Sequence, residues 1–206
     1  MLPNGFVYLN DPRIILSMNY VTANNFMGRQ VAGYHAPVCI LTTTTAKALL
    51  TLQDVLDQKY RGLCLKIFDA YRPMQAVLDF KQWSLDPHDQ TMKTAYYPTL
   101  LKPDLFKQGY ISEKSDHSRG STVDLTLAER KSDQQHQELD MGTIFDYFHE
   151  HSHTDNPSIS ESAKANRALL KNLMHDQGFN NYAFEWWHFT LRNEIFADSY
   201  FDFPVR

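Results

Sequence analysis

Two short stretches of the sequence concentrate side chains able to bind and activate a metal ion. The first, Ser115-Asp116-His117-Ser118-Arg119-Gly120-Ser121-Thr122-Val123-Asp124, offers an imidazole and a carboxylate, both good zinc ligands. His117 and Asp124 are seven positions apart, and an odd separation sends side chains to opposite faces of a regular strand. Gly120 provides a break, so that His117 can sit on an incoming loop while Asp124 projects from the strand that follows. The plainer reading is a turn with a solvated histidine, followed by a strand aspartate capping a neighbour. The second stretch, Glu185-Trp186-Trp187-His188-Phe189, embeds a polar pair among three large aromatics, which is costly unless both polar groups have partners. Glu185 and His188 would also face apart in a strict strand, so Glu185 belongs to the turn entering it. Here the plainer reading is an exposed glutamate and a core histidine bonded to a backbone carbonyl.

Together the stretches supply two histidines and one carboxylate. Three protein ligands and a water make up a catalytic zinc site, whereas structural zinc usually takes four protein ligands, mainly cysteines. Glu185 is left over as a general base. Zinc lowers the pKa of bound water from 15.7 to about 7, within reach of a nearby carboxylate at neutral pH. These candidate ligands and base are not arranged as a helical HExxH motif. Arg72, in Asp69-Ala70-Tyr71-Arg72-Pro73, lies at a strand exit, where active-site groups often gather. Its guanidinium could polarise a scissile carbonyl and stabilise a tetrahedral oxyanion, with a surface salt bridge as the alternative role.

These residues need elements to hold them. Residues 43–59 read as a helix with a threonine cap and Ala46, Leu49, Leu50 and Leu56 near helical spacing. Residues 63–68 read as a strand with Leu63, Leu65 and Ile67 on one face, and Pro73 opens a helix to about Trp83. Residues 86–114, with prolines at 87, 98 and 103, suggest a long loop with short helical pieces. Residues 122–127 alternate as a strand. Ser158 and Glu161 have capping-box spacing for a helix through Gln177, stopped by Gly178 with Phe179 folding back. Residues 186–191 form a final strand rich in aromatic and β-branched residues. Helices and strands alternate without a strict βαβ repeat. The expected fold is α+β: a single domain over 1–206, with a central antiparallel sheet flanked by helices and the zinc site at the sheet.

Bulk properties exclude other classes. A length of 206 residues suits one compact domain, and 43% hydrophobic residues suffice for a substantial core. A net charge of -4 argues against nucleic-acid binding, which needs a dense basic face. No apolar run is long enough to cross a bilayer. The N-terminus lacks a basic start followed by an apolar core, so the expected location is cytoplasmic. Cys39 and Cys64, in apolar stretches, are expected to be buried free thiols.

The combination of DAYRP, SDHSRGSTVDLTL, MGTIFD and EWWHF closely resembles the D-alanyl-D-alanine dipeptidases of the VanX type. The likeness runs from NNFMGRQVAGY near the start to SYFDFPVR at the end. It implies one Zn2+ per chain on His117, Asp124 and His188, Glu185 as base, and Arg72 as the transition-state arginine. It further implies substrate contacts at Tyr20, Tyr34, Ser115 and Asp146. Ser115 would help hold the substrate carboxylate, and Asp146 and the tyrosines would lie near the ammonium. The implied reaction is hydrolysis of free D-Ala-D-Ala to two D-alanines, with a small D,D-dipeptide as the only implied partner and the oligomeric state open. The alternative is a zinc D,D-carboxypeptidase or endopeptidase acting on peptidoglycan stem peptides. Local departures from the family pattern are Thr122, where a small alanine is expected, and the polar stretch Ala128–Leu139. His149, His151 and His153 have a spacing open to a second metal site or to a solvated loop.

Overall fold

The computed structural model describes residues 1–132 and 135–206. Strand β1 (Phe6–Tyr8) pairs antiparallel with β3 (Ile40–Thr42), while β2 (Ile15–Leu16) joins the edge of the main sheet. Helix α1 (Thr43–Lys59) leads into β4 (Leu63–Asp69), followed by α2 (Met74–Ser84). Two short helices, α3 (Lys93–Tyr96) and α4 (Lys102–Lys107), punctuate the long connection to β5 (Thr122–Ser132). Then come β6 (Gln135–Glu138), α5 (Glu161–Asp176), β7 (Phe179–Asn181) and β8 (His188–Leu191). The main sheet runs β2-β4-β5-β8-β7, with β6 paired to the far end of β5.

The α+β class stands, with one adjustment: the sheet is mixed. β2 pairs parallel with β4, and the other pairings in the sheet are antiparallel. Two edge residues following a proline-containing turn carry too little alternation to be read as a strand in advance.

The central strand β5 is buried on both faces from Thr122 to Ala128. In α1 the inward stripe is Ala46, Leu49, Leu52 and Leu56, spaced three or four apart, whereas Leu50 is only partly buried. Gln53 sits in that stripe because its side-chain oxygen accepts from the Leu65 N–H at 3.0 Å, tying the helix to β4.

Two sequence expectations shift. Helix α5 is capped by Ser160, whose hydroxyl accepts from the Ala163 N–H at 3.1 Å, and not by Ser158. The Ser158 N–H is instead engaged by the Asn156 side chain at 2.8 Å, so the helix starts one half-turn later. The last strand begins at His188, because Trp186 and Trp187 lie in the turn before it. Gly178, at φ 89°, ends the helical segment, and the buried Phe179 starts β7. Among the described residues no helix is long and apolar enough to cross a membrane, and Cys39 and Cys64 are buried and free.

Candidate metal centre and active site

Sheet register builds half of the site. Asp124 on β5 lies opposite His188 on β8, and also opposite Asp69 on β4. The three side chains therefore form one row across adjacent strands, the arrangement in which cross-strand neighbours meet. A bulge makes this possible. Ile67 pairs with Leu125, and Phe68 is then passed over so that Asp69 reaches Asp124. Without the extra residue, Asp124 would face a phenylalanine.

His117 arrives from a short 3-10 turn, Asp116–Arg119, that ends at Gly120. Gly120 has φ 80°, and a Cβ there would collide with the Phe6 ring, so glycine is required both by conformation and by space. The turn sends the His117 ring under the sheet row, fully buried. Its Nδ1 lies 2.6 Å from the Ala70 carbonyl, which can only accept. That contact fixes the tautomer, leaving a bare Nε2 aimed at Asp124 and His188.

His117 Nε2 is 3.2 Å from Asp124 Oδ2 and 3.4 Å from His188 Nδ1, and Asp124 Oδ1 is 3.1 Å from His188 Nδ1. All three donors lie within 4.8 Å of one another, and no other such group occurs among the described residues. Donors held about 2.0–2.2 Å from a common tetrahedral centre are roughly 3.3–3.6 Å apart. Asp124 Oδ1 is buried without a hydrogen bond despite its close neighbours, the condition of an oxygen waiting for a cation. Burial works to raise the Asp124 carboxyl, but the two imidazoles outweigh it and hold the group well below the usual carboxylate range. Burial also lowers His188, opposed in part by Asp124, which favours the neutral, ligating form. The donor set thus fits a divalent metal.

Glu185 lies in the turn before β8, nine-tenths buried, with Oε2 3.5 Å from His188 Nδ1. Burial pushes its carboxyl well above the usual range, and the nearby charges of Asp124 and Asp146 push the same way. Such a carboxylate takes up a proton more readily than an ordinary one, as a general base must. Arg72 is no surface salt bridge. Its Nε and Nη2 contact Asp69 Oδ2 at 3.0 and 2.9 Å, and its guanidinium stacks on Tyr20 and Phe80. Nη2 also lies 3.6 Å from Asp124 Oδ2, while Nη1 reaches Ser115 Oγ at 3.4 Å.

A cavity of about 230 Å³ opens over these groups. Its wall includes Tyr20, Arg72, Ser115, Asp124, Asp146, Glu185 and His188. The volume is below the roughly 300–1,000 Å³ of pockets for drug-sized ligands. Tyr20 donates to Asp146 Oδ2 at 2.9 Å, and burial raises the Asp146 carboxyl well above its usual value. Asp146 has φ 61°, and it is the one non-glycine at positive φ among the described residues. Tyr34 stands apart: its hydroxyl donates to Asp69 Oδ1 at 2.7 Å, behind Arg72 and outside the cavity wall.

Nearly the full length of the chain matches known peptidases. Residues 9–206 fit the Peptidase M15 family model, D-Ala-D-Ala dipeptidase. The chain belongs to the D-Ala-D-Ala dipeptidase family. It is 37% identical over 204 residues to a D-alanyl-D-alanine dipeptidase of Enterococcus faecium, covering 98% of both chains. It is 36% identical over 206 residues to one of Enterococcus faecalis, and 39% identical over 186 residues to one of Streptomyces coelicolor. As a member of this dipeptidase family the protein is a peptidase, and its buried His117, Asp124 and His188 cluster could hold a metal ion.

Sequence reasoning passed over several residues that the fold brings here. Asp69 stands in the DAYRP motif with no role expected from sequence; its place here depends on a bulge that no local pattern announces. Tyr110 and Tyr182 line the cavity from a loop and a hairpin turn. The departures also find places. Thr122 Oγ1 pairs with Thr190 Oγ1 at 2.9 Å across the strands. His149 and His151 meet edge to face with centroids 4.5 Å apart, and His153 Nε2 meets the Tyr110 hydroxyl at 3.1 Å, so the three do not converge on one point. Of the polar stretch Ala128–Leu139, Asp133 and Gln134 lie outside the described residues.

Proposed function

We propose that the protein hydrolyses free D-Ala-D-Ala to two D-alanines using one zinc ion held by His117 Nε2, Asp124 and His188 Nδ1. The observation that carries the reading is the convergence of that donor set with a buried base, Glu185, inside a cavity too small for a long peptide. Two nitrogens and one oxygen suit zinc, whose role when bound is to make water nucleophilic near neutral pH and to polarise the scissile carbonyl.

The chain's own groups account for the remaining steps. Glu185, 3.5 Å from His188, takes a proton from the attacking water and delivers it to the departing amine. Arg72 is anchored on Asp69 and directed at the Asp124 side of the cavity, where its charge meets the oxyanion as it forms. The acidic Asp146, oriented by Tyr20, receives the substrate ammonium; Ser115, beside Arg72, receives the carboxylate. Tyr34 acts one step back, holding Asp69 in line with Arg72. Charged groups at both ends of a small cavity select a short zwitterion, since a longer peptide would leave buried charges unpaired. The same reading includes a cytoplasmic location, with which the reduced Cys39 and Cys64 are compatible.

Incubating the protein with D-Ala-D-Ala and with a stem pentapeptide, each with and without a chelator, tests the proposal. Chelator-sensitive release of D-alanine from the dipeptide in preference to the pentapeptide is expected. A preference for the longer peptide would replace this reading with a D,D-carboxypeptidase.

A further inference from the structure

Beside the catalytic cavity lies a second, larger hollow of about 860 Å³, bordered by apolar groups such as Leu85, Pro87, Pro103 and Phe106. The two spaces share Gly109, Ile111, Ser112 and Tyr182 in their walls. The first three come from one loop, and Tyr182 reaches across from the β7–β8 turn to close against it. Its hydroxyl donates to the Gly109 carbonyl at 3.0 Å, and its ring packs edgewise on His188 with centroids 5.6 Å apart. Gly109 is shaped for this contact. It has φ 82°, and a Cβ at that position would stand 2.6 Å from the tyrosine oxygen. One side chain therefore bridges from a candidate metal ligand to the loop that separates the two spaces.

We infer that Tyr182 is a specificity-determining partition, whose ring confines the substrate to dipeptide length and denies a third residue entry to the apolar hollow. The inference rests on the dipeptidase reading above and adds the residue that sets the length limit. With the ring gone, the apolar hollow would open onto the site and accept the methyl group of an added alanine. Loss of the hydroxyl alone would leave the ring, and most of the barrier, standing.

The test uses equilibrium binding, so that chemistry does not intervene. In a Glu185→Gln background, binding of D-Ala-D-Ala and of D-Ala-D-Ala-D-Ala to the zinc-loaded protein is measured by calorimetry, with Tyr182 intact and as Tyr182→Phe and Tyr182→Ala. Gly109→Ala, which displaces the tyrosine from the loop side, is a second route should Tyr182→Ala not fold. Tripeptide affinity relative to dipeptide is expected to rise by about 10-fold or more in Tyr182→Ala or Gly109→Ala, and to change little in Tyr182→Phe. Dipeptide binding retained with no tripeptide gain in either opening variant would overturn the partition alone. No dipeptide binding with Tyr182 intact would overturn the dipeptidase reading, and the partition with it.

Discussion

The Nδ1 of His117 donates to the carbonyl oxygen of Ala70 across 2.6 Å, and this contact decides which nitrogen can ligate a metal. Ala70 directly follows the bulged end of β4, so the same backbone that sets Asp69 opposite Asp124 also orients the histidine. Metal binding by such a site competes with protons. His188, held below its ordinary value mainly by burial, stays neutral to lower pH than a free histidine, and the site keeps its metal accordingly. Zinc retention against a competing chelator is expected to hold at pH 7 and to weaken only below the range in which a free histidine gains its proton. Dialysis at stepped pH with metal analysis checks this; zinc content that does not fall at any acidic pH at which the protein stays folded would contradict histidine ligation.

Replacing Glu185 separates chemistry from stability. Glu185→Gln is expected to lower kcat by about 10²–10⁴-fold while zinc content is unchanged. The folded carboxyl has its pKa raised, so its ionised form destabilises the fold, and that cost is relieved as pH falls from the folded value toward the unfolded one. The neutral amide removes that cost. In the metal-free protein at pH 7, a gain of about 1 kcal/mol would raise Tm by roughly 2–4 °C, which thermal denaturation measures directly. A variant with wild-type turnover would remove Glu185 from the mechanism.

Arg72 and Asp69 are expected to behave as a unit. Arg72→Ala should reduce kcat by about 10²–10³-fold with a smaller effect on KM, because its charge acts chiefly in the transition state. Asp69→Asn keeps the shape but weakens the anchor, and should cost part of the same kcat term. Arg72→Lys should not rescue, since an ammonium cannot reproduce the paired contacts of 3.0 and 2.9 Å from Nε and Nη2. Additive effects in the Arg72→Ala/Asp69→Asn double variant would argue for independent roles.

Much of this site was legible in the sequence, and the part that was not depends on pairing between distant strands. Parity along the chain put His117 and Glu185 on turns and Asp124 and His188 on strands, which is where they lie. Those inferences needed only a period of two and one glycine. Asp69 was missed because its role requires Phe68 to bulge, a feature set by the register of β4 against β5. The β7–β8 hairpin was missed for a related reason: Phe179–Asn181 has no alternation of its own and becomes a strand only by pairing with β8. The cap of α5 moved from Ser158 to Ser160 because the neighbouring Asn156 claims the Ser158 amide. Tyr182 gave no signal, since its contact with Gly109 spans 73 positions.

At the ammonium end, Asp146→Ala should raise KM for D-Ala-D-Ala far more than it lowers kcat, with Tyr20→Phe giving a smaller change in the same sense. Both Asp146 and Glu185 act ionised, and burial raises both above the ordinary carboxylate range. The acid limb of kcat/KM should therefore rise with pH well above pH 4, where an ordinary carboxylate would already be ionised. A pH–rate profile flat from pH 4 upward would contradict the buried, proton-accepting environment described for this pair.

The most direct test of the account is metal content measured alongside D-alanine release on the same preparation. The account predicts one zinc per chain, release from D-Ala-D-Ala that a chelator abolishes, and recovery on adding zinc back in stoichiometric amount. Dipeptide hydrolysis that persists in protein stripped of metal, or no release from the zinc-loaded protein at neutral pH, would contradict it.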